Sequence, residues 1–136
     1  MKVLNYAFVA CMPLLLAACG SSKITDINDQ KVFFAYDSSA ISGEAKDGLL
    51  AQSEFLKSNK DVKIQIAGNC DERGTTDYNM ALGARRANAA KQVLVKDGIE
   101  SKRIKTISYG KERPAVKGSG EKVWSQNRNA HTTEVK

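Results

Sequence analysis

A chain of 136 residues suffices for one domain with short extensions, and a domain of that size buries a working core without disulfide or metal staples. Its 21 Lys and Arg against 15 Asp and Glu give a net charge of +6, spread along the chain, which fits nucleic acid, an anionic surface or no charged partner at all. Three cysteines and one histidine, with no Cys-x-x-Cys or Cys/His cluster, offer no grouping for a metal.

Met1-Lys2, an apolar run over 3–16 and small residues at Ala17-Ala18 have the three-part layout of a secretory signal. The run is short for a bilayer and contains Asn5 and Pro13, so a permanent membrane helix is the weaker reading. Leu16-Ala17-Ala18-Cys19 resembles the lipobox of bacterial lipoproteins, in which the signal, here 1–18, is cut before the cysteine and the thiol takes up diacylglycerol. The resemblance implies a membrane anchor on Cys19, held by about 0.8 kcal/mol per buried methylene. Gly20 rather than aspartate follows, which in the resembling family goes with the outer membrane. Cys11 leaves with the signal and Cys19 carries lipid, so Cys70 remains as a lone thiol, read as a small residue at a strand end. Residues 19–30 read as the lipidated cysteine and a flexible tether, and 31–136 as the domain.

KVFFAYD (31–37) suits a first strand. A helix over 42–59 follows, with Ser42 as its cap and Leu49, Leu50, Phe55 and Leu56 at helical spacing. VKIQIAG (62–68) alternates as a half-covered strand, and a long helix over 76–96 ends at Asp97-Gly98. RIKTISYG (103–110) is another alternating strand. A loop with Pro114 and Gly118-Ser119-Gly120 then leads to a short helix near 123–127 and a last strand over 129–135. The order β-α-β-α-β-(short α)-β predicts an α/β (α+β) domain: right-handed crossovers and a sheet with helices packed on it.

At 100° per residue, Tyr78, Leu82, Ala89, Ala90 and Val93 define the apolar stripe of the second helix. Arg86 falls on that stripe, whereas Arg85 points off it. Two readings stand. Either Arg86 lays its stem over apolar surface and keeps its head wet, or it meets a carboxylate, because an unpaired buried charge is costly. Asp71 and Glu72 close the preceding strand, where ligand clefts open in α/β sheets, and Asp37 reaches the same rim. A pocket with Asp71 for an ammonium and Arg86 for a carboxylate suits a zwitterion. No nucleophile stands beside a histidine, so the constellation reads as a binding site, not an enzyme.

CDERGTTDYNMALGARRANAAKQVL (70–94) followed by ISYGKERPAV (107–116) is similar to the peptidoglycan-associated lipoproteins of the Tol-Pal system, and more broadly to OmpA-like domains. The resemblance covers 31–136 and is carried by Asn79, Leu82, Gly83, Arg86 and Ala87 at their spacing. It implies a single OmpA-like domain with a mixed sheet. It also implies an outer-membrane lipoprotein facing the periplasm that holds the meso-diaminopimelate of peptidoglycan without a covalent bond. Envelope integrity, cell division and a partner resembling the TolB propeller come with it. The family's ligand-binding pair falls on Asp71 and Arg86. Tyr36, Asp37 and Ser38 line its pocket, and Thr75, Asn79 and Leu82 form its turn and wall. Arg73 and Asn79 also read as residues that shape the turn. Two departures stand out: Cys70 occupies a position where many relatives carry histidine or another polar or aromatic residue, and Asn129 one where many carry a second arginine after Arg128. A wall-binding module of another envelope complex is the alternative. Export and the lack of stacking aromatics exclude nucleic acid as a partner, and no cofactor is expected.

Overall fold

The structure, a computed structural model, describes residues 23–136; the signal over 1–18 and the lipidation of Cys19 lie outside the described residues. Among these residues run β1 (Gln30–Phe33), α1 (Gly43–Ser58), β2 (Lys63–Asn69), α2 (Thr76–Lys96), β3 (Ile104–Gly110), α3 (Glu121–Asn127) and β4 (Asn129–Val135). A single 3-10 turn, Ser101–Arg103, precedes β3. The element order is the one the sequence predicts.

The strands form one sheet in the order β1-β4-β2-β3. β2 and β3 are parallel, as a crossover through a full helix requires, and β4 runs antiparallel to β1 and β2. The sheet is therefore mixed. α2 lies across β2 and β3, α1 lies on β1, and the two helices touch each other. Ile64 and Ile66 of β2, Val32 of β1 and Ala130 of β4 meet Leu49 and Leu56 of α1 and Ala87, Ala90 and Leu94 of α2 in the core. Full burial of each large aliphatic side chain contributes about 1.5–3 kcal/mol.

Local signals explain the helix ends. The Ser42 hydroxyl accepts from the Ala45 N–H at 3.1 Å, and Thr75 accepts from Tyr78 N–H at 3.1 Å, so each helix starts where a side chain caps it. Asp97 closes α2 by accepting from the Ser53 hydroxyl at 2.6 Å and Lys57 at 3.1 Å, tying α2 to α1. Both contacts hold the Asp97 carboxyl below its ordinary range.

Three expectations change. First, β1 stops at Phe33, and 34–42 forms a loop instead of extending the strand to 37. Secondly, the buried face of α2 is Asn79, Leu82, Gly83, Arg86, Ala87, Ala90 and Leu94. Tyr78 is exposed and Val93 only half-buried, since α2 meets a sheet below and α1 at one side, and this tilts the face from the apolar average. Thirdly, the end of the stretch read as tether is packed: Ile27 is fully buried and Ile24 lies against the core. Asn28 and Asp29 bond β4, through the Glu134 N–H at 2.8 Å and His131 Nε2 at 2.7 Å, which makes His131 a strand residue tied to that segment.

Candidate functional site

Arg86 has 1% of its surface exposed, the least of the charged side chains near the site. Its head is not wet, and its protein partners are carbonyls instead of a carboxylate. Nε donates to Ser38 O at 2.8 Å, Nη1 to Asn69 O at 3.0 Å and Nη2 to Ala35 O at 3.1 Å. The guanidinium fork thus gathers the end of β2 and the loop after β1 around one point on α2. Burial pushes the pKa of Arg86 below its ordinary value, while the nearby Asp71 carboxylate favours its charged form. Arg85 is exposed, as its angle on the helix requires.

Asp71, at the end of β2, is 4% exposed. Its Oδ1 accepts from the Arg73 backbone N–H at 3.0 Å and from Arg73 Nε at 3.1 Å, and its Oδ2 accepts from Arg73 Nη2 at 2.8 Å. Arg128 Nη1 approaches Oδ2 at 3.5 Å. Burial alone would raise this carboxyl, but the Arg73 hydrogen bonds and Arg128 outweigh it, so Asp71 is held below the ordinary carboxylate range. Arg128 also donates to Phe34 O at 2.9 Å and grips Glu121 at 2.7 Å and 3.3 Å. Asp71, Glu121, Arg73 and Arg128 are thus an alternating quartet of charges.

The other expected residues sit as follows. Tyr36 is exposed, with its ring 3.9 Å from the Arg73 guanidinium. The Asp37 carboxylate accepts from the Tyr78 hydroxyl, and its φ of 52° turns the loop. Ser38 gives its carbonyl to Arg86 and its hydroxyl to the Ala40 N–H at 3.1 Å. Thr75 caps α2. Asn79, fully inside, donates to Arg73 O at 2.8 Å and Thr75 O at 3.0 Å, holding the turn between β2 and α2. Leu82 is a buried wall. Glu72 has partners of its own: it accepts from Trp124 Nε1 at 3.0 Å and from the Ser119 hydroxyl, beside a cavity of about 140 Å³.

Trp124 is the residue the sequence reading missed. Its ring lies 4.0 Å from the Arg73 guanidinium. The signal was available, since it is the one tryptophan of the chain and falls in a polar segment. The two departures are structural. Asn129 accepts from Asn69 Nδ2 at 3.0 Å and donates to Gln126 O at 2.9 Å. Cys70 donates to Asn79 O at 3.3 Å, and burial pushes its thiol above the ordinary value. We expect thiol reagents to label Cys70 at least about a hundredfold faster in denaturant than in buffer, because a buried thiol reacts only after opening. Equal rates by mass spectrometry would contradict that burial.

Among the described residues no group of three or more His, Cys, Asp or Glu is placed to hold a metal, and no helix is long and apolar enough to cross a membrane.

A model of the OmpA family matches residues 33–128, so the class of the domain is OmpA-like. The peptidoglycan-associated lipoprotein of Mesorhizobium japonicum is 48% identical over 86% of this chain and 70% of its own length. That of Pasteurella multocida is 39% identical over 95% of this chain and 96% of its own length. The crystal structure of the peptidoglycan-associated lipoprotein from Burkholderia pseudomallei, 37% identical, matches with a TM-score of 0.75 over 78% of this chain and 90% of that one. The C-terminal domain of Helicobacter pylori MotB, 19% identical with a TM-score of 0.72, shares the fold. The chain belongs to the OmpA family, among its peptidoglycan-associated lipoproteins. It is a structural binding protein and not an enzyme.

Proposed function

We propose that this chain binds peptidoglycan non-covalently through the meso-diaminopimelate of the stem peptide, with Asp71 for the ammonium and Arg86 for the carboxylate of its free amino-acid centre. The carrying observation is their juxtaposition. A carboxylate held ionised at the end of β2 lies close to a guanidinium seated on α2, and the 35–38 loop forms the rim over both. Arg86 has five N–H groups and uses three of them on carbonyls. Tyr36, Asp37, Ser38, Thr75, Asn79 and Leu82 shape the rim, turn and wall.

Lipid on Cys19 then holds the domain at the outer membrane, facing the periplasm, and the contact ties that membrane to the wall. A modest affinity per stem suffices, since confinement and the many stems of one polymer supply avidity. A role in the Tol-Pal system, with a TolB-like propeller as partner and with consequences for envelope integrity and division, completes the reading.

The test is sedimentation of the full-length protein with diaminopimelate-type sacculi. Asp71→Asn keeps the shape and removes the charge. Losing a charged hydrogen bond of about 1.5–3 kcal/mol lowers binding about ten- to hundredfold. Wild type left in the supernatant, or a variant that sediments like it with circular dichroism unchanged, would overturn the assignment.

A further inference from the structure

Asp71 already holds a cation, and that cation is Arg73. Both carboxylate oxygens are engaged by its fork, at 3.1 Å and 2.8 Å, and by its backbone N–H at 3.0 Å. The carboxylate is 4% exposed, whereas the Arg73 side chain above it is 29% exposed. A ligand ammonium therefore meets Arg73 before it meets Asp71.

Two aromatic rings flank the same spot. The Arg73 guanidinium lies 3.9 Å from the Tyr36 ring centroid and 4.0 Å from that of Trp124. Trp124 is fixed by donating to Glu72 at 3.0 Å. A carboxylate with two ring faces around it is a cation cage, since each ring presents a negative face and the carboxylate supplies the counter-charge. Arg73 also has a second carboxylate within reach: Glu121 Oε2 stands 3.9 Å from its Nη2, is largely exposed, and is kept ionised by Arg128.

We propose that the slot between Tyr36, Trp124 and Asp71 is the ammonium subsite of the ligand, with Trp124 as a binding residue, and that Arg73 is its resident occupant, which passes to Glu121 when the ligand enters. This rests on Asp71 being the ammonium partner. Asp71 does not lose every contact in the exchange, because the Arg73 backbone N–H and Arg128 stay beside it. The exchange trades one cation for another in the same cage, so its cost is small, and a neutral ligand end has nothing to offer in return. The subsite thereby selects for a cation.

The measurement is a titration of the full-length protein with a disaccharide-tripeptide carrying meso-diaminopimelate, read by calorimetry and by the emission of the lone tryptophan. Saturating wild type changes that emission as the guanidinium leaves the ring. Arg73→Gln removes the resident cation and tightens binding, about tenfold if the closed pairing holds about nine molecules in ten. Its emission then changes at least as much on titration, because the ammonium enters a cage that held no cation. Glu121→Gln takes away the landing site, so it weakens binding, and unchanged binding by it would overturn the exchange even if Arg73→Gln fails to fold. Trp124→Ala weakens binding as well. Arg73→Gln binding more weakly than wild type, with its melting midpoint unchanged, would show that Arg73 only positions Asp71 and would overturn the exchange. Wild type failing to bind the probe would overturn both this and the diaminopimelate reading. Wild type binding with Trp124 silent and Arg73→Gln unchanged would overturn the exchange alone.

Discussion

Arg86→Ala is expected to lower the stability of the domain by about 3–5 kcal/mol, out of a typical total of about 5–15 kcal/mol. The side chain satisfies the carbonyls of Ser38, Asn69 and Ala35, which come from two separate segments. Truncation leaves these acceptors without their donors at a place where the guanidinium was 1% exposed, and it opens a void beneath Phe34, whose ring lies 5.3 Å from the guanidinium. Urea unfolding followed by circular dichroism reads the effect as a lower midpoint. Arg86→Lys should fall between, because an ammonium reaches one or two of the carbonyls without the fork. An alanine variant with the wild-type midpoint would show that the carbonyls find water or that the loop rearranges. The result bears directly on function. Loss of wall binding by Arg86→Ala mixes a missing ligand contact with a collapsed rim, whereas Asp71→Asn leaves Arg73 and Arg128 a carboxylate in Glu121 and, with circular dichroism unchanged, reports more directly on the ligand.

The same residue shows how far the sequence was legible. The limits of α2, Thr76–Lys96, follow from a threonine cap and an Asp-Gly stop, both local signals, and the structure has those limits. The presence of Arg86 on a buried face was equally readable from its spacing. Its partners were not. They are carbonyls 48, 17 and 51 residues away, and carbonyls leave no mark in a sequence. The end of β1 was hidden for the same reason. Ala35 and Ser38 leave the extended path because a distant arginine collects their oxygens, although the KVFFAYD pattern favours continuing the strand. Ile24 and Ile27 looked like a tether because two isolated isoleucines in a polar stretch show no period, yet Ile27 fills a gap against the core. Trp124 and Arg73 meet through a contact across the chain, which no spacing along α3 or the β2–α2 turn encodes.

Gly68→Ala is expected to have the other large effect, destabilising by at least about 3 kcal/mol, at the upper end of overpacking. A Cβ on Gly68 would stand 1.6 Å from the Gly83 carbonyl oxygen and 2.5 Å from its carbon, so the obstacle is backbone and no rotamer change relieves it. The contact exists because α2 settles onto β2 with glycine facing glycine. That close seating lets Arg86, three residues further along α2, reach the carbonyl of Asn69, one residue after Gly68. Lifting the helix to make room would cost packing along Leu82, Ala87 and Ala90 and would also draw the guanidinium out of its carbonyl nest. Gly83→Ala should be milder, since its nearest obstacle is the Ser108 hydroxyl at 2.3 Å, which can turn aside, although the Gly68 carbonyl at 2.8 Å remains. Thermal melting distinguishes the two: for a domain of this size, 3 kcal/mol corresponds to a fall of roughly 12 °C or more for Gly68→Ala, with a smaller fall for Gly83→Ala. A Gly68→Ala melting midpoint within a few degrees of wild type would mean that α2 does not rest on β2 as closely as the two glycines place it, and the seating of Arg86 would then need another explanation.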